Sequence, residues 1–259
     1  MRAAVVGDNT IDRYLGTSST QYVGGNAVNV AVQLSSRAGG IGYFGAIGAD
    51  PDGDTIRRVL TRTTLDLGGL VTADGASAVT EIRLTSSGDR VFEREHFGVT
   101  AQYYPDAVAI ERMASARWVH IGMLPRSAEL IEELAERNPM LPISQDCSVS
   151  TGHRALQVAF DSAGEDPARA AQLAQNALAN GAALAVVTLG SLGAIASDAS
   201  TRWQQDAHPA HVIDTTGAGD SFAAGFIDAR LNGRSVQDAL AAGSRWAAQA
   251  CEHLAGFAQ

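Results

Sequence analysis

The chain has 259 residues, 46% of them apolar, and a net charge of -9. That length and apolar share suit one sizeable core, and the acidic balance argues against nucleic acid or an anionic membrane as the main partner. All 19 basic residues are arginine; there is no lysine, which excludes a Walker-A loop, a protein-kinase strand lysine and Schiff-base chemistry. Cys147 and Cys251 are the only cysteines and lack metal spacing, so free thiols in a reducing compartment are expected. The N-terminus meets Asp8 too early for a signal peptide, and no apolar run approaches a membrane span. A cytoplasmic location is therefore expected.

Ala3 to Gly7 reads as a short buried strand ending in a turn. Asp8, Asn9, Thr10 and Asp12 follow at its carboxyl end, the edge where open α/β sheets hold ligands. Arg13 to Val23 is polar and irregular and reads as a flap. Gly24-Gly25-Asn26 leads into a helix anchored by Ala27, Val30, Ala31 and Leu34. Ile41 to Ile47 reads as a strand, 48–53 as a turn, and 54–62 as a helix. Ala78 to Leu84 and Arg90 to Arg94 flank SSGD, a hairpin signal that interrupts the βαβ rhythm. Trp118 to Met123 and Leu141 to Asp146 read as strands around a helix from Ala128 to Arg137. A helix from Ala168 to Asn180 precedes a fully apolar strand, Ala183 to Leu189. Gly190, Gly193 and Ile195 to Ser197 open a hairpin, and a last helix runs from Val236 to His253. Alternating strands and helices imply a mostly parallel central sheet with helices on both faces. The whole of 1–259 is expected to form a single domain with a small β lid from segments near 13–23 and 78–97.

The chain is organised around Asp214 to Ile227, DTTGAGDSFAAGFI. Gly217, Ala218 and Gly219 leave backbone N–H groups bare at the start of a helix read from Ser221 to Leu231. Such a turn is an anion site, because free N–H groups and the helix dipole point outward. Asp220 there would repel a resting anion. It makes sense if the anion is a transferring phosphoryl group and the carboxylate takes the proton of the attacking hydroxyl. GAGD alone suits an ordinary capped helix equally well.

GGNAVN at 24–29, GADPDG at 48–53, VTLGSLG at 187–193 and DTTGAGDSFAAGF at 214–226 occur in that order. Together they resemble the ribokinase-like, or phosphofructokinase-B, sugar kinase family over nearly the full chain. The resemblance implies a three-layer α/β fold and ATP-dependent phosphorylation of a primary hydroxyl on a small sugar. It places Asp220 as catalytic base and Gly217, Ala218 and Gly219 as an anion hole. It sets Asp12, Gly24, Gly25, Asn26 and Asn29 at the sugar, and Thr188, Gly190 and Gly193 at the ATP. Glu165 falls where the family handles Mg2+, although the family's Asn-x-x-Glu is Ser162-Ala-Gly-Glu165 here. Asp214 and Thr216 fall where many members bind a monovalent cation such as K+. Asp146-Cys147-Ser148 replaces a family stretch bearing Asn and Arg, so the resemblance carries no role for it.

Each position also has a plainer reading. Asp12 could cap a turn, Asn29 could belong to a core network, and Glu165 just before Asp166-Pro167 suits a helix start. Within the family, the GDN-x-x-D start, DRVF in the hairpin and the compact length resemble the branch acting on the 6-hydroxyl of fructosamines. Asp8, Glu93 and Glu95 are expected to favour such a cationic amine. Fructose, ribose or a nucleoside are the alternative acceptors. A non-catalytic sugar-binding regulator would not need Asp220 and the complete turn, and a dinucleotide oxidoreductase would need a G-x-G-x-x-G that is absent. The apolar Val79, Ile82, Leu84, Val91 and Phe92 imply that one lid face is covered, by the sugar site or by a second subunit in a homodimer.

Overall fold

Apolar residues alternate along the first strand, and that alternation divides the interior into two cores. The computed structural model describes residues 1–15, 20–84, 90–150 and 155–259, apart from the side chains of 84 and 90–92. In it β1 (Ala3–Val6) turns Ala3 and Val5 to one face and Ala4 and Val6 to the other. The first face is covered by α1 (Asn26–Ser35), α2 (Pro51–Leu60), α6 (Ala218–Leu231) and α7 (Val236–Ala250). The second is covered by α3 (Ala107–Ala114), α4 (Ser127–Arg137) and α5 (Pro167–Ala179).

The sheet between them also contains β4 (Ile41–Gly48), β5 (Asp66–Ala73), β8 (Val119–Ile121), β9 (Ile143–Asp146), β10 (Val158–Ser162) and β11 (Ala185–Thr188). An edge hairpin, β12 (Ala194–Ser197) and β13 (Arg202–Gln205), completes nine strands in the order β13-β12-β11-β10-β9-β8-β1-β4-β5. Pairing is parallel except within that hairpin and where it joins β11. The strand order reverses at β1, so the carboxyl ends of the central strands open on a crevice.

The expected flap at 13–23 is not irregular. It is an antiparallel hairpin of β2 (Thr10–Leu15) and β3 (Thr20–Gly24). Its second strand pair, β6 (Val79–Leu84) and β7 (Arg90–His96), joins it through a parallel β2–β6 contact into one four-stranded sheet, β3-β2-β6-β7. The SSGD turn lies outside the described residues, as do the side chains of Leu84, Val91 and Phe92. Ile82 is buried, and Ile11 and Val23 join the first core, so one face of this small sheet is covered.

The motif at 48–53 anchors this sheet to the body. Asp50 caps α2 by accepting from Gly53 N at 2.7 Å, and it also accepts from Ser77 N at 2.8 Å and Ser77 Oγ at 2.6 Å. Ser77 leads into β6, and Arg13 on β2 pairs with Asp52 at 2.6 Å. Three elements escaped the sequence reading. In β5, Gly68-Gly69 hides the strand pattern, yet a Cβ at Gly69 would lie 2.3 Å from the Phe44 ring. β10 spans only five residues, and α3 follows Asp106, whose carboxylate caps it through Ala109 N at 2.8 Å.

Candidate active site

The turn before α6 is built by Asp214. Its Oδ1 accepts from Thr216 N at 2.9 Å and Thr216 Oγ1 at 2.6 Å, which folds the chain back on itself. Gly217 then takes a left-handed φ of 72°, and a Cβ there would lie 2.6 Å from Gly256 Cα. Only glycine meets both conditions. α6 begins at once, three residues earlier than expected, so Ala218, Gly219 and Asp220 form its first turn. Ala218 N donates to Thr215 O at 3.2 Å, while the N–H groups of Gly217 and Gly219 have no protein acceptor among the described residues. Space around Gly219 is open: a Cβ there would have no neighbour within 4 Å. Two free donors at a helix N-terminus, with room in front, can hold an anion.

Asp220 follows in that turn and is half-buried. Asn29 Nδ2 donates to its Oδ2 at 2.7 Å, and Asn26 Nδ2 donates to its Oδ1 at 2.7 Å. Both asparagines ride on the first turn of α1, whose start is fixed from below. Asp8 accepts from Asn26 N at 2.8 Å and Ala27 N at 2.9 Å, so a carboxylate sits at the positive end of that helix. Burial pushes the Asp8 carboxyl up to about 6, against the pull of the two helix amides. Asp8 is therefore committed to α1 and buried, and the expectation that it meets an external amine fails for that reason. Glu93 is likewise engaged, with Arg83 on the neighbouring strand; Glu95 is exposed.

Asp12 lies within β2, paired with Tyr22 and Thr80, and is no turn cap. It is buried against the glycine pair: a Cβ at Gly24 would fall 2.2 Å from its Oδ2. Gly25, with φ 117°, packs on Asn9 Cα, where a Cβ would come within 2.7 Å. The chain path Asp12, Gly24, Gly25, Asn26 thus runs from the small sheet directly to Asp220. Tyr14, also on β2, reaches Asp214 Oδ2 and Thr216 Oγ1 at 3.2 Å each and ties the small sheet to the turn before α6. Burial pushes its phenol up to about 12.

A cleft of about 800 Å³ opens in front of this constellation. Asn26, Ala218, Gly219 and Asp220 line it, and so do Thr188, Gly190, Gly193 and Glu165. Gly190 and Gly193 both have positive φ, and Gly193 is required by the hairpin, since a Cβ there would meet Gln205 O at 2.0 Å. Glu165 accepts from Ser191 Oγ at 2.5 Å. Asp214 and Thr216 are not aimed into the cleft. The Asp214 carboxylate receives Thr216 N and Oγ1, Tyr14 Oη and Ala255 N, the last at 3.0 Å. Four donors fill a carboxylate, so the side chain has a structural task at this turn. Among the described residues, no three His, Cys, Asp or Glu side chains are grouped to hold a metal. No helix among them is long and apolar enough to cross a membrane. Neither cysteine is in a disulfide.

Two carboxylates at the cleft were assigned no role from sequence. Asp146 ends β9 and accepts from Asn26 Nδ2 at 2.7 Å; Asp161 sits near the end of β10. Asp146 was legible as a polar residue at a strand's carboxyl end, whereas Asp161 sat in a strand that the pattern did not reveal. With Glu165 and Asp220 they make the lining acidic, and among the described residues no arginine contributes to it. Phosphate charge in this cleft can be offset by backbone N–H groups and a divalent ion bound through one or two carboxylates and the phosphates themselves.

Comparison with known proteins agrees with this geometry. The pfkB family carbohydrate kinase model matches residues 149–256. Fructoselysine 6-kinase of Shigella flexneri is 31% identical over 258 residues, covering 96% of this chain and 97% of that protein. The chain belongs to the pfkB family of carbohydrate kinases. It is also similar to fructosamine kinase FrlD of Bacillus subtilis (strain 168), 29% identical and covering 99% and 93% of the two chains. The ribokinase of Arabidopsis thaliana, solved with ribose and ATP, superposes with a TM-score of 0.88 at 20% identity, over 98% of this chain and 94% of the other. That likeness establishes the ribokinase fold for this family member. The nine-stranded sheet, its helices on both faces and the small sheet beside the cleft are the architecture expected from the sequence.

Proposed function

We propose that this sugar kinase uses ATP to phosphorylate the 6-hydroxyl of a fructosamine, such as fructoselysine, with Asp220 as the general base. The observation that carries the reading is the first turn of α6. A carboxylate held by two amide side chains stands beside two unpaired backbone N–H groups, at the mouth of an 800 Å³ cleft. Bound ATP supplies the phosphoryl group, and its phosphates fit the open space before Gly219. Asp220 takes the proton of the acceptor hydroxyl, while Gly217 N–H and Gly219 N–H stabilise negative charge on the transferring group. Thr188, Gly190 and Gly193 line the nucleotide end, and Glu165 with Asp161 would hold Mg2+ or its waters.

Asp12, buried beside Gly24 and Gly25, binds acceptor hydroxyls. The sheet β3-β2-β6-β7 acts as a lid that keeps water from the transfer site. Its β7 edge suits pairing with a second copy in a homodimer. The fructosamine assignment rests on near full-length similarity to two kinases of that substrate class and on the GDN-x-x-D start. Asp220→Asn tests the reading. Turnover of fructoselysine is expected to fall by about 10²–10⁴-fold, with binding of the acceptor and of an ATP analogue retained. A loss of about tenfold or less would remove Asp220 as base.

A further inference from the structure

The side-chain nitrogen of Asn26 does something that sugar binding does not require. It donates one hydrogen to Asp220 Oδ1 and the other to Asp146 Oδ2, both at 2.7 Å. An amide nitrogen carries two hydrogens, so both are used. The amide cannot be reversed, because its oxygen would then face two carboxylates. That oxygen is buried without a partner among the described residues and packs on Gly122, where a Cβ would come within 2.6 Å of it. The far side of the bridge is fixed as well. Asp146 Oδ1 accepts from Ser148 N at 2.9 Å and Ser148 Oγ at 2.5 Å, and Asp146 closes β9. The near end of Asn26 is fixed by its own N–H on Asp8.

We infer that Asn26 is a positioning residue for the base, and that Asp146 is its anchor. Asp220 belongs to α6, which also carries the anion-holding turn, whereas Asp146 belongs to the sheet. The bridge locks the rotamer of Asp220 to the sheet edge and places amide hydrogens between two carboxylates that would otherwise repel. Asn29 steadies the other oxygen. Asn26 thus acts on transfer through Asp220 and not by holding a sugar hydroxyl. The inference rests on Asp220 being the base.

The test is steady-state kinetics with fructoselysine and ATP on Asn26→Ala, Asn26→Asp, Asp146→Ala and the Asn26→Ala/Asp146→Ala pair. Asn26→Asp keeps the size and removes the donor. Each single change is expected to lower kcat by about 10²-fold, the scale of a misplaced catalytic group, with the acceptor KM changed by less than about threefold. The double variant is expected to be no slower than the slower single one, because both residues act through one contact. The acid limb of the kcat profile is expected to move to higher pH in Asn26→Ala, since the charged carboxylate loses a donor. A raised KM at unchanged kcat, wild-type turnover in Asn26→Asp, or multiplicative losses in the double variant would each overturn the inference. If Asp220→Asn is inactive while the Asn26 variants turn over normally, only this inference fails. If Asp220→Asn is itself active, the reading of the base fails with it.

Discussion

Gly219→Ala separates the chemistry of the α6 turn from its folding. Gly219 lies within a 14-residue helix without a left-handed φ, and a Cβ there meets nothing within 4 Å. The folded state has room for the methyl, and the unfolded chain loses freedom, so stability should rise. The helix-interior value is about 0.5–1 kcal/mol; in the first turn the lower end applies. For a chain of this size that is a gain of roughly 1–3 °C in Tm. The same methyl would stand in the space through which phosphate reaches the two free N–H groups. Loss of such donors costs about 10²–10³-fold in turnover, so kcat/KM should fall by at least about tenfold. Gly217→Ala is the contrast: with φ 72° and Gly256 2.6 Å away, it should lose stability. The assays are thermal unfolding and ADP release on the same preparations. A stabilised and fully active Gly219→Ala enzyme would refute the phosphate role of this turn. A destabilised one would refute the packing argument.

Two further outcomes probe the frame around the site. His120 is buried, its Nδ1 against Ser144 Oγ at 2.9 Å, and burial alone pushes its pKa down to about 3. Its stabilising contribution is therefore complete above the unfolded value of 6.5 and is lost as pH falls towards 3; relative to His120→Gln, denaturant unfolding should show the wild type losing roughly 3 kcal/mol more between pH 7 and 4.5, and parallel pH slopes would contradict neutral burial. Asp50→Ala removes the α2 cap and leaves Ser77 N unpaired, so it should cost about 1–3 kcal/mol while kcat of the folded protein stays unchanged; a stable but inactive variant would show that the 48–53 motif touches the reaction.

Much of this molecule is legible in its sequence where one residue type has one physical use. Apolar strands alternating with capped helices gave the layer order, and Gly217-Ala218-Gly219 before Asp220 marked the turn. Legibility failed where a residue's partner is distant in the chain. Asp8 read as an acid that meets the acceptor's amine, because nothing local reveals that Asn26 N and Ala27 N will sit on it. The structural task of Asp214 was hidden for the same reason, its donors Tyr14 and Ala255 coming from opposite ends of the chain. The protein partners of Asn26 and Asn29 were hidden in the same way: Asp220 holds both, and Asp146 holds Asn26 as well. β5 was hidden by Gly68-Gly69, of which Gly69 is demanded by the Phe44 ring. Arg13 to Val23 looked irregular because its first strand, β2, pairs with β6, more than fifty residues away.

The most direct measurement is kcat/KM for four acceptors under identical ATP and Mg2+: fructoselysine, a second fructose–amino acid, fructose and ribose. With Asp8 buried on α1 and Glu93 paired with Arg83, discrimination by surface charge should be modest, of about 0–1 kcal/mol per exposed acid. The account predicts that a fructose–amino acid gives the highest value. If fructose or ribose is the best of the four, the fructosamine assignment is contradicted and the family assignment stands.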